Sequence, residues 1–146
     1  METIIELSKE EQRVLDMLTY SETAEKLNYK EQRKITFWVT NNLLELYYEV
    51  LSELDEKCHK FKINSGYRCS RTNLAVKGVM WSQHMTGNAA DVTCDNLPKM
   101  WKILQEMEVD QAIRYKNFIH VSYVTNRKNR NQYIDKTLTE KKGGVK

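Results

Sequence analysis

From Ile35 to about Cys58, the residues Ile35, Val39, Leu43, Leu46, Tyr47, Val50, Leu51 and Leu54 recur mainly at three- and four-residue steps, with Glu45, Glu49, Glu53 and Lys57 elsewhere. That spacing predicts one amphipathic helix whose apolar stripe the rest of the chain has to cover. Trp38, Tyr47 and Tyr48 within it are read as core or rim packing, not as a stacking platform for bases. After Lys60 the texture changes. Phe61 to Asn64 is a short alternating strand that leads into a Ser65-Gly66 turn. Ala89 to Thr93 alternates Ala89, Asp91 and Thr93 with Ala90 and Val92. Asn117 to Tyr123 sets Phe118, His120 and Ser122 on one face and Ile119, Val121 and Tyr123 on the other.

Other helices flank these strands. Ser8 and Glu11 have capping-box spacing, with Val14, Leu15 and Leu18 on one face behind them. A short helix with Ser21 as its N-cap ends near Asn28-Tyr29. Asn96-Leu97-Pro98 opens a further helix with Met100, Trp101, Leu104 and Met107 on one stripe. Helices come first and short strands later. The class expected is α+β around a small, mostly antiparallel sheet.

A chain of 146 residues with 40% hydrophobic and 29% charged residues fits one soluble-type domain. Its single proline, Pro98, and its five glycines form no linker. The acidic start lacks a basic segment followed by an apolar run, so it is not a secretory signal. No stretch approaches the roughly 18–20 apolar residues that span a bilayer. Cytoplasmic synthesis without a signal peptide and without a membrane partner follows, and a monomer is expected. Cys58, Cys69 and Cys94 are odd in number and widely spaced, which argues for free thiols over disulfides or a thiolate metal site.

The net charge of +3 is uneven. Between Asn126 and Lys146 stand seven basic residues against two acidic ones, so the remainder is net acidic. The expected division is a folded domain over 1–125 and a basic tail over 126–146. Such a tail is either a solvated terminus or a holder of anionic polymers. Nucleic acid is not the expected partner.

His84, Asp91 and His120 supply two imidazoles and one carboxylate, the ligand count of a zinc site whose fourth position is open to water. The strand period turns His120 and Asp91 away from the core-facing Val and Ile residues, towards a cleft. His84 sits upstream in a loop that Gly87 allows to turn sharply. Iron(II) also accepts this set, whereas calcium and magnesium prefer all-oxygen shells. A surface histidine at 84 and a hydrogen-bonded strand histidine at 120 are the alternative. His59 is read as a cation near a helix C-terminus.

Four linked motifs narrow the choice. Asn64-Ser65-Gly66-Tyr67-Arg68, Asn73 to Val79, Ser82-Gln-His84-Met-Thr-Gly87-Asn-Ala89-Ala-Asp91 and Phe118-Ile-His120-Val-Ser resemble the M15 family of zinc D-Ala-D-Ala carboxypeptidases and related phage endolysins. The likeness covers most of the chain, including Ser21, Thr23 and Ala24 in the helical lead-in. It implies the small α+β fold shared with the Hedgehog signalling domain, and zinc held by His84, Asp91 and His120. It also implies Arg68 as a substrate-binding guanidinium, which suits a carboxylate or a polarised carbonyl. Ser82 would bind substrate or orient its loop. The implied reaction is hydrolysis of an amide in peptidoglycan stem or cross-bridge peptides. The chain would be phage or prophage encoded, acting on the wall after release or from a virion.

One feature departs from the family pattern. A Glu or Asp general base is expected three residues before the second histidine, and Asn117 stands there. An amide cannot take up a proton from water in that role. Neutral Tyr115, Glu106 and Glu108 are no replacements, and Asp110 is read as structural. Two readings follow: an M15-type zinc metallopeptidase, or a catalytically silent zinc-binding module that recognises cell-wall peptides.

Overall fold

The computed structural model of the chain describes residues 6–137. The elements run α1 (Lys9–Thr19), α2 (Glu22–Leu27), α3 (Phe37–Leu46), α4 (Ser52–Lys57), β1 (Lys62–Ser65), α5 (Ser70–Ala75), β2 (Ala89–Thr93), α6 (Leu97–Leu104), β3 (Gln111–Arg114), β4 (Ile119–Ser122) and β5 (Gln132–Asp135). The sheet order is β1-β2-β4-β3-β5. Three pairings are antiparallel, and β3 with β5 is parallel. The sheet is therefore mixed but mostly antiparallel, in an α+β fold.

Local chemistry fixes the helix ends. Ser8 and Glu11 form the reciprocal capping box at α1, with the Glu11 N–H 3.0 Å from Ser8 Oγ. Ser21 caps α2, which ends at Asn28 in the left-handed region. Asn96 caps α6, with Pro98 in its first turn. The long apolar segment is helical throughout Phe37–Lys57, but a π-helical turn at Tyr47–Leu51 separates α3 from α4. There the Ser52 N–H donates to the Tyr47 carbonyl. Leu46, Tyr47, Val50, Leu51 and Leu54 all lie in the core across this wider turn.

That core joins α1, α3, α4 and α6 to the inner face of the sheet. Leu18, Leu43, Leu46, Leu51, Leu54, Met100, Leu104, Ile119 and Val121 are fully buried in it. Each such side chain contributes about 1.5–3 kcal/mol by leaving water.

Two strands depart from the sequence-based expectation. β3 is hidden among loop-like residues, and β5 lies in the segment expected to be a tail. Arg127 and Arg130 bind buried Asp110, and Gln132–Asp135 pairs with β3. As far as Thr137, the segment beyond residue 125 thus packs against β3, and those arginines are ion-pair partners of Asp110. Residues 138–146 lie outside the described residues. Among the described residues, no helix is long and apolar enough to cross a membrane.

Candidate active site

Antiparallel pairing of β2 with β4 sets Asp91 directly opposite His120. Cross-strand partners point to the same face, so the two side chains meet, with His120 Nδ1 3.0 Å from Asp91 Oδ1. The third group comes from a 3₁₀ turn at Gln83–Thr86. Ser82 caps it, its Oγ accepting from the His84 N–H at 3.1 Å. Gly87 closes it at φ +81°, in the left-handed region, where a Cβ would also press on Val39 and Leu43 of α3 at 3.0–3.2 Å. Buried Asn42 ties the turn to α3 by donating to the Thr86 carbonyl at 2.8 Å.

The result carries His84 Nε2 to 3.3 Å from Asp91 Oδ1. One nitrogen or oxygen atom from each of His84, Asp91 and His120 lies within 4.8 Å of the other two. Among the described residues this is the only such group of His, Cys, Asp or Glu.

Hydrogen bonding decides the state of His84. Its Nδ1 is 2.7 Å from the Gly66 carbonyl, which only accepts, so Nδ1 carries the proton and donates. In neutral imidazole Nε2 is then a bare lone pair facing a carboxylate oxygen. Two acceptors face each other there unless a proton or a cation lies between them. That donor set, two imidazoles and one carboxylate with an outer carbonyl orienting the first imidazole, fits a zinc-type ion.

Burial would raise the Asp91 carboxyl, but the His120 and His84 imidazoles, with a proton or cation between them and the carboxylate, outweigh it. The carboxyl is held well below its ordinary range and is anionic at neutral pH.

Arg68 borders this group, with Nη2 3.5 Å from Asp91 Oδ2. Its Nε donates to Ser65 Oγ at 3.2 Å and its Nη1 to Asn73 Oδ1 at 3.0 Å. Ser65 itself lies opposite Asp91 across a bulge in β1. Burial lowers the pKa of the guanidinium, opposed by Asp91. Arginine stays charged regardless. The Arg68 N–H also donates to the His84 carbonyl at 3.0 Å, so the segment after β1 and the His84 turn are locked together.

Several supporting residues carry no sequence signal of their own. Buried Gln32 donates to the Thr19 and Tyr67 carbonyls and accepts from the Cys69 N–H, bracketing Arg68. Gln83, beside His84, donates to Asp110 at 3.1 Å. A buried amide or carboxylate that joins distant backbone segments has no periodic pattern to betray it. Of the other sequence candidates, Ser82 is buried and holds the loop-orienting geometry just described. Asn117 is exposed in the β3–β4 turn, where its carbonyl accepts from the Thr93 hydroxyl at 3.0 Å. His59 lies apart from the cluster, paired with Asp95 at 2.7 Å.

The sequence model of the peptidase M15 family matches residues 14–122. The chain belongs to the peptidase M15 family. The match takes in β1 to β4 and every residue of the cluster, and it stops before β5. No curated protein matches the chain significantly.

Proposed function

We propose that this chain is a zinc-dependent peptidase that cleaves an amide bond in the stem or cross-bridge peptides of peptidoglycan. The observation that carries the reading is the meeting of His84 Nε2, Asp91 Oδ1 and His120 Nδ1 beside the Arg68 guanidinium. His84, Asp91 and His120 would hold the zinc, which would supply a Lewis acid for the scissile carbonyl and lower the pKa of water towards neutrality. The chain's own residues do the rest. Gly66 fixes the tautomer and tilt of His84, and anionic Asp91 balances the cationic charge. Arg68, braced by Ser65 and Asn73, offers its remaining hydrogens to a substrate carboxylate or to the oxyanion that develops on the carbonyl. Ser82, whose oxygen already accepts from the His84 N–H, keeps its hydroxyl hydrogen for the substrate. Action at the wall, after release or from a phage particle, accords with this substrate.

The test is direct. Zinc-loaded protein incubated with purified peptidoglycan is expected to generate new amino termini or free D-Ala, detected by mass spectrometry. A chelator should stop this and added zinc restore it. Absence of turnover at high protein concentration would remove the peptidase reading.

Asn117 favours a second reading, a metal-binding module that recognises wall peptides without cutting them. Asn117→Asp separates the two. The turn is fixed through the Asn117 main chain, so an isosteric carboxylate can be installed without rebuilding it. General-base help is typically worth 10²–10⁴-fold, and recovery of part of it, about tenfold or more in kcat, is expected for a peptidase. A silent module would keep its affinity for muropeptides and show no turnover in either form.

A further inference from the structure

The end of α5 and the loop that joins it to the His84 turn expose several apolar side chains. Leu74 is 79% exposed, Val79 73%, Met80 74% and Trp81 88%. Val79, Met80 and Trp81 are consecutive and include the most exposed large apolar side chain among the described residues, and clustered exposed apolar groups mark interaction sites. The backbone beneath them is held. The Lys77 N–H donates to the Leu74 carbonyl at 3.0 Å, the Gly78 N–H to the Asn73 carbonyl at 2.8 Å and the Ser82 N–H to the Val79 carbonyl at 3.3 Å.

Both ends of the loop are stitched to the candidate active site. Asn73 accepts from Arg68 through Oδ1 and donates to the Val79 carbonyl through Nδ2 at 2.9 Å. Gly78 presses so closely on this pair that a Cβ would collide with Asn73 Oδ1 and come within 2.8 Å of Arg68 Nη1. At the far end Trp81 is followed by Ser82, the cap of the turn that carries His84. The apolar row is therefore presented from a fixed frame between the guanidinium and one of the metal-ligating candidates.

Charge points to the occupant. From Cys58 to Ala90 the sequence holds no Asp or Glu but has Lys60, Lys62, Arg68, Arg71 and Lys77. Arg71 is engaged by Glu31, while Lys77 is exposed on the loop itself. Lys77 is the one charged residue between Leu74 and Ser82, so apolar tips beside a single cation, continuous with the Arg68 guanidinium, suit a peptide with small apolar side chains and a carboxylate.

We infer that Val79, Met80 and Trp81 form a subsite that grips the substrate peptide outside the scissile amide, so that longer stem peptides are selected over short ones. The inference rests on the proposed peptidase reading and names its specificity element. Trp81 is the anchor: an aromatic ring offers a large contact area at low conformational cost.

The experiment compares the zinc-loaded native chain with Trp81→Ala and Trp81→Phe on two probes, a soluble stem pentapeptide and N-acetyl-D-Ala-D-Ala. For Trp81→Ala the pentapeptide KM should rise about fivefold or more, with kcat within about twofold of the native value. The short probe should be unaffected, and Trp81→Phe should recover most of the loss. Equal effects on both probes, or none, would overturn the inference. If the native chain hydrolyses neither probe, the peptidoglycan assay alone judges the peptidase reading, and pentapeptide titration by calorimetry, which needs no tryptophan reporter, decides the subsite by itself. Weaker binding in Trp81→Ala then supports it, and unchanged or absent binding overturns it. Trp81-dependent binding to anionic phospholipid vesicles, with pentapeptide binding unaltered, would also overturn it in favour of a lipid surface.

Discussion

His84→Ala is expected to abolish stoichiometric zinc binding and to lower peptidase turnover by about 10³-fold or more. Two donors, Asp91 and His120, would remain where three now converge, and a catalytic metal needs three protein ligands with one position open. His84 is also 3% exposed, and its removal strips the Gly66 carbonyl of its donor. A buried acceptor left unpaired costs about 1–3 kcal/mol, so loss of activity alone would not separate metal loss from a weakened fold. His120→Ala removes a ligand at the more exposed edge of the cluster and should lose zinc with a smaller change in unfolding midpoint. His59→Ala is the control, since that imidazole is largely exposed and pairs only with Asp95. It should keep both zinc and turnover. Equilibrium dialysis with elemental analysis reads the metal, and denaturant unfolding reads the fold. Full zinc occupancy in His84→Ala would sink the assignment of these ligands.

Much of this architecture was legible because the relevant signals are periodic or capped. The helix starts at Ser8, Ser21 and Asn96 each carry a side chain that satisfies an orphan N–H, and the apolar stripe of Phe37–Lys57 repeats over several turns. The alternation in Ala89–Thr93 and around His120 set Asp91 and His120 on the outward faces of strands. What local pattern could not state is that those strands are neighbours in register, which depends on long-range pairing. β3 and β5 were illegible for a related reason. Gln111–Arg114 and Gln132–Asp135 are four residues each, too short to show a period, and β5 gains its place through a parallel pairing with β3. The basic residues near Arg127 looked like a solvated terminus because charge in a sequence does not reveal its partner. The partner, Asp110, is 17 residues away from Arg127 along the chain and fully buried. The π-helical turn was likewise invisible, since it shifts hydrogen bonds while leaving the apolar pattern helical.

Asp110 also carries the second large effect. Its carboxylate accepts from Arg127 Nη1 at 2.7 Å and Nη2 at 3.1 Å, and from Arg130 N and Nε at 3.1 Å each and Nη2 at 2.9 Å. Gln83 adds a sixth bond at 3.1 Å, and the Asp110 N–H and carbonyl join β4 and β5 through Ser122 and Gln132. One buried charge thus fastens the C-terminal strand to the turn that presents His84. Asp110→Asn keeps the shape but turns an amide towards two guanidinium groups, and Asp110→Ala leaves the Arg130 and Gln83 donors without their acceptor. Either is expected to cost about 3 kcal/mol or more at pH 7, measured by denaturant unfolding. Arg130→Ala should cost less, because the Arg127 fork still neutralises the carboxylate and Arg130 itself is half exposed. The pH dependence has a definite sign. Burial would raise the Asp110 carboxyl, but the hydrogen bonds from Arg127, Arg130 and Gln83 outweigh it and hold it well below its ordinary range. Its stabilisation is therefore complete above about pH 4, the value in an unfolded chain, and is lost progressively as the pH falls below that. The native chain and Asp110→Asn should accordingly differ most near neutrality and converge in acid. A stability gap that stays constant from pH 7 to pH 3 would show that the carboxylate's charge is not what holds the strand and the turn together.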